Sequence, residues 1–214
     1  MIDYWRYTGD STYNAVVVEA LTAQNGGDPY GQPFLSLNWT INVGNDDQGF
    51  WALAGMQAAE LGFPAAPPGQ PSWLELAQGV FDILAARWVI EEAGACKGGL
   101  RWAVITDPAV GNDKKNTLST AVLLDLGARL ARYTGNQTYA DWADKTWTWL
   151  ADTGLVGSAF NVLGGTYAQS NCTRTNAAQW SHVAGVLIEA AAYMSNHVRP
   201  PTLSNPLLPL SNPN

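Results

Sequence analysis

Apolar positions recur along this chain at intervals of three and four residues, and that spacing predicts six helices. They cover residues 11–24, 46–62, 72–92, 116–134, 138–153 and 177–197. Punctuation supports each boundary. Asn45 precedes the second helix, and Gly62 and Pro64 end it; Pro71 precedes the third, Gly135 stops the fourth, and Pro200 lies beyond the sixth. No stretch alternates as a strand would, so the expected class is all-α. The connections at 63–71 and 135–137 are short, whereas those at 25–45, 93–115 and 154–176 are long and rich in Gly, Asn and Asp. If successive helices run antiparallel, every long loop falls at one end of the array. Long loops within a compact domain usually carry function.

A repeat supports the array. "RYTGDSTYN" at 6–14 matches "RYTGNQTYA" at 132–140. The second copy follows a full helix, "TLSTAVLLDLGARLA", while only "MIDYW" stands ahead of the first, where most of a helix is expected to be missing. Residues 1–198 are expected to form a partial domain, and the Pro-rich stretch 199–214 an unpacked tail. Repeat arrays cover their apolar faces with neighbours, so uncovered helix faces imply self-association.

The formal charge of −7 argues against nucleic acid or an anionic membrane surface as partner. Ten tryptophans and eight tyrosines are core material first. Trp39, Trp102 and Trp180, in or beside loops, are the candidates for stacking on sugar rings. The two cysteines, Cys96 and Cys172, stand in loops expected at the same end, and together with the sequons at Asn38, Asn136 and Asn171 they suggest a secretory route and a Cys96–Cys172 disulfide. The sequence as given is read as carrying no signal peptide or GPI signal of its own, and no transmembrane run is expected.

The stretch "VGNDDQGFW" at 43–51 sets Asp46 beside Asp47 in the first turn of a helix at the loop-rich end. Acidic residues favour helix starts by themselves, and that plain reading stands against a functional one. Two carboxylates in contact push their pKa values apart, as a nucleophile and a general acid require. The helix N-terminus is expected to keep Asp46 ionised, leaving Asp47 to hold the proton. A calcium site lacks EF-hand spacing. In "GGLRW" the glycine pair would let backbone approach a ligand, and Arg101 would either orient a ligand or form a surface ion pair. Lys115 and Asn116 open the fourth predicted helix. His182 and His197 read as packing or surface residues, and no metal or cofactor is expected. P-loop, GxGxxG and GxSxG motifs are absent.

These stretches, together with "GNDDQGFWALAGMQAAELGFP", "QPSWLELAQGVFD", "KNTLS" and "QWSHVAG", resemble glycoside hydrolase family 76, the endo-α-1,6-mannanases, in its fungal cell-wall branch. The resemblance spans roughly residues 3–195 and implies an incomplete (α/α)6 barrel of antiparallel helical hairpins. It implies a retaining hydrolase or transglycosylase with Asp46 as nucleophile and Asp47 as acid/base. Gln48, Arg101, Trp102, Lys115, Asn116, Gln179 and Trp180 would bind substrate. The implied partner is α-mannan or GPI-mannan glycan, and the implied location is secreted or at the cell wall and outer face of the plasma membrane. His182-Val183 replaces the family's usual Tyr-Asn, and Thr120 stands where Asn is common. The alternative is a truncated, non-catalytic helical remnant with at most weak carbohydrate binding.

Overall fold

The computed structural model describes residues 1–25, 32–35, 43–104 and 113–198. Asn38, Trp39 and the tail 199–214 lie outside the described residues. Among the described residues there are seven helices rather than six: α1 (Ile2–Thr8), α2 (Asn14–Gln24), α3 (Asn45–Leu61), α4 (Trp73–Glu92), α5 (Thr117–Thr134), α6 (Gln137–Asp152) and α7 (Ser181–Val198). The added element, α1, is the short helix ahead of the first repeat.

The two repeat copies fold alike, for reasons visible in their residues. The threonine hydroxyl ending each helix bonds back one turn, Thr8 to Tyr4 O at 2.6 Å and Thr134 to Leu130 O at 2.7 Å. Gly9 and Gly135 then take the left-handed conformation, both at φ 72°, which glycine adopts without steric cost. The next residue, Asp10 or Asn136, accepts the amide N–H of Thr12 or Thr138 and starts the next turn.

The all-helical expectation needs one correction. Three short strands, β1 (Lys114–Asn116), β2 (Gly165–Tyr167) and β3 (Thr175–Asn176), form an antiparallel sheet in the order β1-β2-β3. Lys115 faces Thr166 and Asn116 faces Gly165 across the first pair. Two or three residues are too few for alternation to show in sequence. As a result, α5 begins at Thr117 with Asn116 as its N-cap, and α7 begins at Ser181, so Gln179 and Trp180 lie ahead of it.

Short links make α3–α4 and α5–α6 antiparallel hairpins. Buried on nearly every face, α5 packs against α3, α4, α6 and α7 and forms the centre of the described structure. It contributes Leu123, Leu126 and Leu130 to a core that also holds Met56 and Leu84. Much of the tryptophan content is core: Trp88 meets Trp142 and Trp149 edge-to-face at 6.3 and 5.6 Å.

Candidate active site

The N-terminus of α3 is fixed by strand-like pairing of two distant segments. Gly44 bridges Ala103, with Asn45 N–H donating to Trp102 O at 2.7 Å and Val104 N–H to Val43 O at 2.9 Å. Trp102 N–H in turn donates to Lys114 O at 2.8 Å, which joins this pair to β1. Residues 43–45, 101–104 and 114–116 therefore converge on one spot, and Asp46 and Asp47 sit at its centre.

Asp46 is buried, at 6% exposure, while Asp47 is exposed. Each oxygen of Asp46 accepts one N–H: Oδ1 from the Asp47 amide at 3.1 Å and Oδ2 from Asn116 Nδ2 at 2.9 Å. Asp47 folds back so that its Oδ2 accepts the Gly44 N–H at 2.8 Å, satisfying one orphan donor of the helix start. Gly44 has to be glycine because of space, not backbone angle. A Cβ there would lie 2.0 Å from Asp46 Oδ1, 2.8 Å from Trp102 Nε1 and 3.1 Å from Asp47 Oδ2. From the same point, the two carboxylate oxygens are at most 5.1 Å apart, and the indole nitrogen is at most 4.8 Å from Asp46 Oδ1.

Burial pushes the Asp46 carboxyl above its ordinary range; the Asn116 hydrogen bond opposes this and the neighbouring charge of Asp47 adds to it. Burial thus works against the helix start that was expected to keep Asp46 ionised.

The substrate-binding residues expected from sequence divide into two sets. Trp102, half-buried, lies beside the carboxylates. Gln179 and Trp180 are exposed, Trp180 at 55%, on the segment leading into α7. The Trp180 indole nitrogen packs beside Gly164, whose carbonyl accepts Thr117 N–H, so it stands on the rim next to Asn116. The other set faces inward. Lys115 is wholly buried: its ammonium donates to Gly98 O at 2.5 Å and Ala95 O at 3.1 Å and pairs with Glu91 at 2.9 Å. Desolvation draws it below the ordinary lysine range, partly offset by Glu91. Glu91 also receives Arg101 Nε at 2.7 Å. Burial would raise Glu91, but its hydrogen bonds from Arg101 and Lys115 together hold it below the ordinary carboxylate range. Gln48, 1% exposed, donates to Pro33 O. Lys115 and Gln48 are scaffold rather than ligand contacts, because their polar atoms are already used and out of reach. Asn116 is buried too and works by holding Asp46. The Gly98–Gly99 pair approaches core rings instead of a ligand, since Cβ atoms there would meet Trp88 at 2.8 Å and Trp149 at 2.2 Å.

Cys96 and Cys172 form a disulfide with Cα atoms 5.5 Å apart, tying the two loops that precede β1 and β3. Asn171 is exposed, with its side-chain carbonyl accepting Cys96 N–H at 2.8 Å; Asn136 caps α6 on the surface. His182 lies exposed beside Trp180. Among the described residues, no group of three His, Cys, Asp or Glu side chains could hold a metal ion. Sequence reasoning missed Arg87, whose guanidinium reaches both residues flanking the aspartates; a lone arginine in an amphipathic helix gives no signal of such a contact.

The model of glycosyl hydrolase family 76 matches residues 1–200. Mannan endo-1,6-alpha-mannosidase DCW1 of Saccharomyces cerevisiae is 42% identical over 198 residues, 92% of this chain and 42% of the relative. Mannan endo-1,6-alpha-mannosidase DFG5 of the same yeast is 37% identical, with the same coverage of 92% and 42%. The crystal structure of Dfg5 from Chaetomium thermophilum in complex with glucosamine superposes with a TM-score of 0.83 at 43% identity, over 92% of this chain and 47% of that one. The GH76A α-1,6-mannanase of a Salegentibacter species shares the fold, with a TM-score of 0.68 at 21% identity, over 92% of this chain and 52% of that one. The chain thus spans less than half the length of the curated relatives named here. The neighbours have the α/α-barrel fold, and the hairpins packed around α5 are part of that architecture.

Proposed function

The chain belongs to glycosyl hydrolase family 76, and from that premise we propose that Asp46 and Asp47 are the reacting pair of a retaining glycosidase or transglycosylase acting on α-1,6-linked mannan. The observation that carries this reading is the closeness of the two carboxylates, with Asp46 Oδ1 and Asp47 Oδ2 at most 5.1 Å apart. Retaining enzymes keep their carboxyl groups about 5–5.5 Å apart, whereas inverting enzymes leave a wider gap for water.

Asp46 is the nucleophile. An N–H donor on each of its oxygens favours the carboxylate over the acid and aims it, and burial makes that carboxylate a stronger base than a free one. It attacks the anomeric carbon as the glycosidic C–O bond breaks. Asp47, reachable from solvent, gives its proton to the departing oxygen. The resulting Asp47 carboxylate then takes the proton of an acceptor hydroxyl, from water or a sugar, as that oxygen displaces Asp46 with a second inversion. Trp102 and Trp180 offer faces for the flanking rings. A mannan substrate places the working site outside the cytoplasm, at a fungal wall or cell surface, with Asn136 and Asn171 as glycan acceptors. The domain proposed to do this is 1–198.

Turnover of α-1,6-manno-oligosaccharides, followed by NMR of the first product's anomeric proton, tests the reading. Asp46→Ala should abolish turnover. Asp47→Ala should keep activity on a mannoside whose leaving group needs no proton, and azide should then give a retained-configuration product. An inverted first product refutes retention, and the opposite pattern of variants refutes the roles. A second reading, sugar binding without turnover, rests on the exposed ring of Trp180 at the rim of the site. Saturable oligosaccharide binding with no product would establish it.

A further inference from the structure

The residues on either side of the aspartate pair are both buried amides, Asn45 at 2% exposure and Gln48 at 1%. Their oxygens face one group. Arg87, reaching across from α4, donates through Nη1 to Asn45 Oδ1 at 2.5 Å and to Gln48 Oε1 at 2.8 Å. Its Nη2 donates to Gln32 Oε1 at 2.8 Å. We infer that Arg87 is a positioning residue for Asp46 and Asp47: by gripping the side chains that bracket them, it fixes where α3 begins and where both carboxylates stand. The inference rests on the reading of that pair as the reacting groups.

The guanidinium sets more than two contacts, because it decides which way each amide is turned. With Oδ1 of Asn45 on Arg87, its Nδ2 must face the other way, and it donates to Arg101 O at 2.9 Å. With Oε1 of Gln48 on Arg87, its Nε2 donates to Pro33 O at 2.8 Å. One amide therefore ties the segment carrying Trp102 to the first turn of α3, and the other ties in residues 32–35. A planar guanidinium serves three oxygens at once; a lysine ammonium on a flexible stem cannot hold the same fork. These contacts are to the amides that bracket the aspartates, so the effect of Arg87 on the pair passes through Asn45 and Gln48.

The test pairs two readouts on the whole chain with Arg87→Met and Arg87→Lys. The first is 13C-carboxyl titration of Asp46. Among the described residues, the groups facing Asp46 are Asp47, Asn116 and Trp102, and none of them is altered. The Arg87→Met variant should let water reach the first turn, moving the Asp46 midpoint down toward the ordinary carboxylate range. The second readout is kinetic: kcat should fall at least ~10-fold with KM held within about twofold, as for a misplaced reacting group. Arg87→Lys should fall between wild type and Arg87→Met in both readouts. A purely structural role would lower the melting temperature but leave the Asp46 titration of the folded state unchanged, and that result overturns the inference. So does a loss confined to KM. If Arg87→Met does not fold, Arg87→Lys decides by the same criteria. If the wild-type chain turns over no mannan, the catalytic reading fails, and the titration alone decides whether Arg87 positions the pair.

Discussion

Replacing Asp125 with Asn should stabilise this protein near neutral pH and leave it nearly unchanged in acid. Asp125 lies midway along α5, fully buried, and neither carboxylate oxygen has a hydrogen-bond partner among the described residues. The nearby cation is already committed, since Arg129 holds Glu60 at 2.7 Å and Glu189 at 3.4 Å. Desolvation, reinforced by the charges of Glu189 and Glu60 and opposed by Arg129, raises the Asp125 pKa to about 8. Its reference value is 3.8. Between those values the unfolded chain has released this proton and the folded chain has kept it, so stability falls as pH rises from about 4 to about 8. At pH 7 the difference amounts to about 4 kcal/mol. Asn has the shape of the protonated acid and nothing to ionise. Its amide is also unpaired, a cost of roughly 1–3 kcal/mol that the buried acid shares in part. The net gain at pH 7 should therefore be about 2–4 kcal/mol, shrinking toward zero by pH 4. Urea unfolding at several pH values between 4 and 8 measures it. Parallel stability profiles for wild type and Asp125→Asn would show that Asp125 is ionised in the folded state and that the argument from its burial is wrong.

Two further changes separate scaffold from chemistry. Reducing the Cys96–Cys172 bond, which spans 76 residues of chain, should cost about 4 kcal/mol and lower the melting temperature; identical melts with and without dithiothreitol would contradict this. Gly44→Ala is allowed by its backbone angles, φ −87° and ψ 152°, but its Cβ must displace the Asp46 carboxylate. Mannan turnover should drop by about 100-fold with a stability change within about 1 kcal/mol, and retained activity would show that the carboxylate position does not matter.

Much of the helical framework was legible because its signals are local. The Thr–Gly–Asp/Asn end of α1 and α5 is carried by three consecutive residues, and both copies make the turn. The aspartate pair was legible for the same reason, as adjacent residues at a capped helix start. The inward role of Lys115 was not. Nothing near it in sequence shows that Ala95, Gly98 and Glu91 come together around its ammonium, and that meeting depends on a loop whose Cys96 and Lys97 take positive φ. The sheet escaped notice because "KKN" and "TN" have too few residues to alternate. "GGL" reads the same whether its glycines make room for a ligand or, as here, for Trp88 and Trp149.

The first turn of α3 shows how one short stretch supplies both the support and the proposed reacting groups. Successive helical residues point about 100° apart, so four in a row cannot all face one way. Asn45 and Gln48, three apart, share a side and reach backward to Arg87 and the loop carbonyls. Asp46 turns toward Asn116 of the next inner helix start, and Asp47 turns outward to solvent. The two aspartates thus meet different surroundings although they are adjacent in the chain. That difference allows two identical side chains to take separate roles, one dry and doubly hydrogen-bonded, the other open to proton exchange. If the order of Asn45 and Asp46 were exchanged, the carboxylate would face Arg87 in an ion pair, and the proposed nucleophile would be lost from beside Trp102.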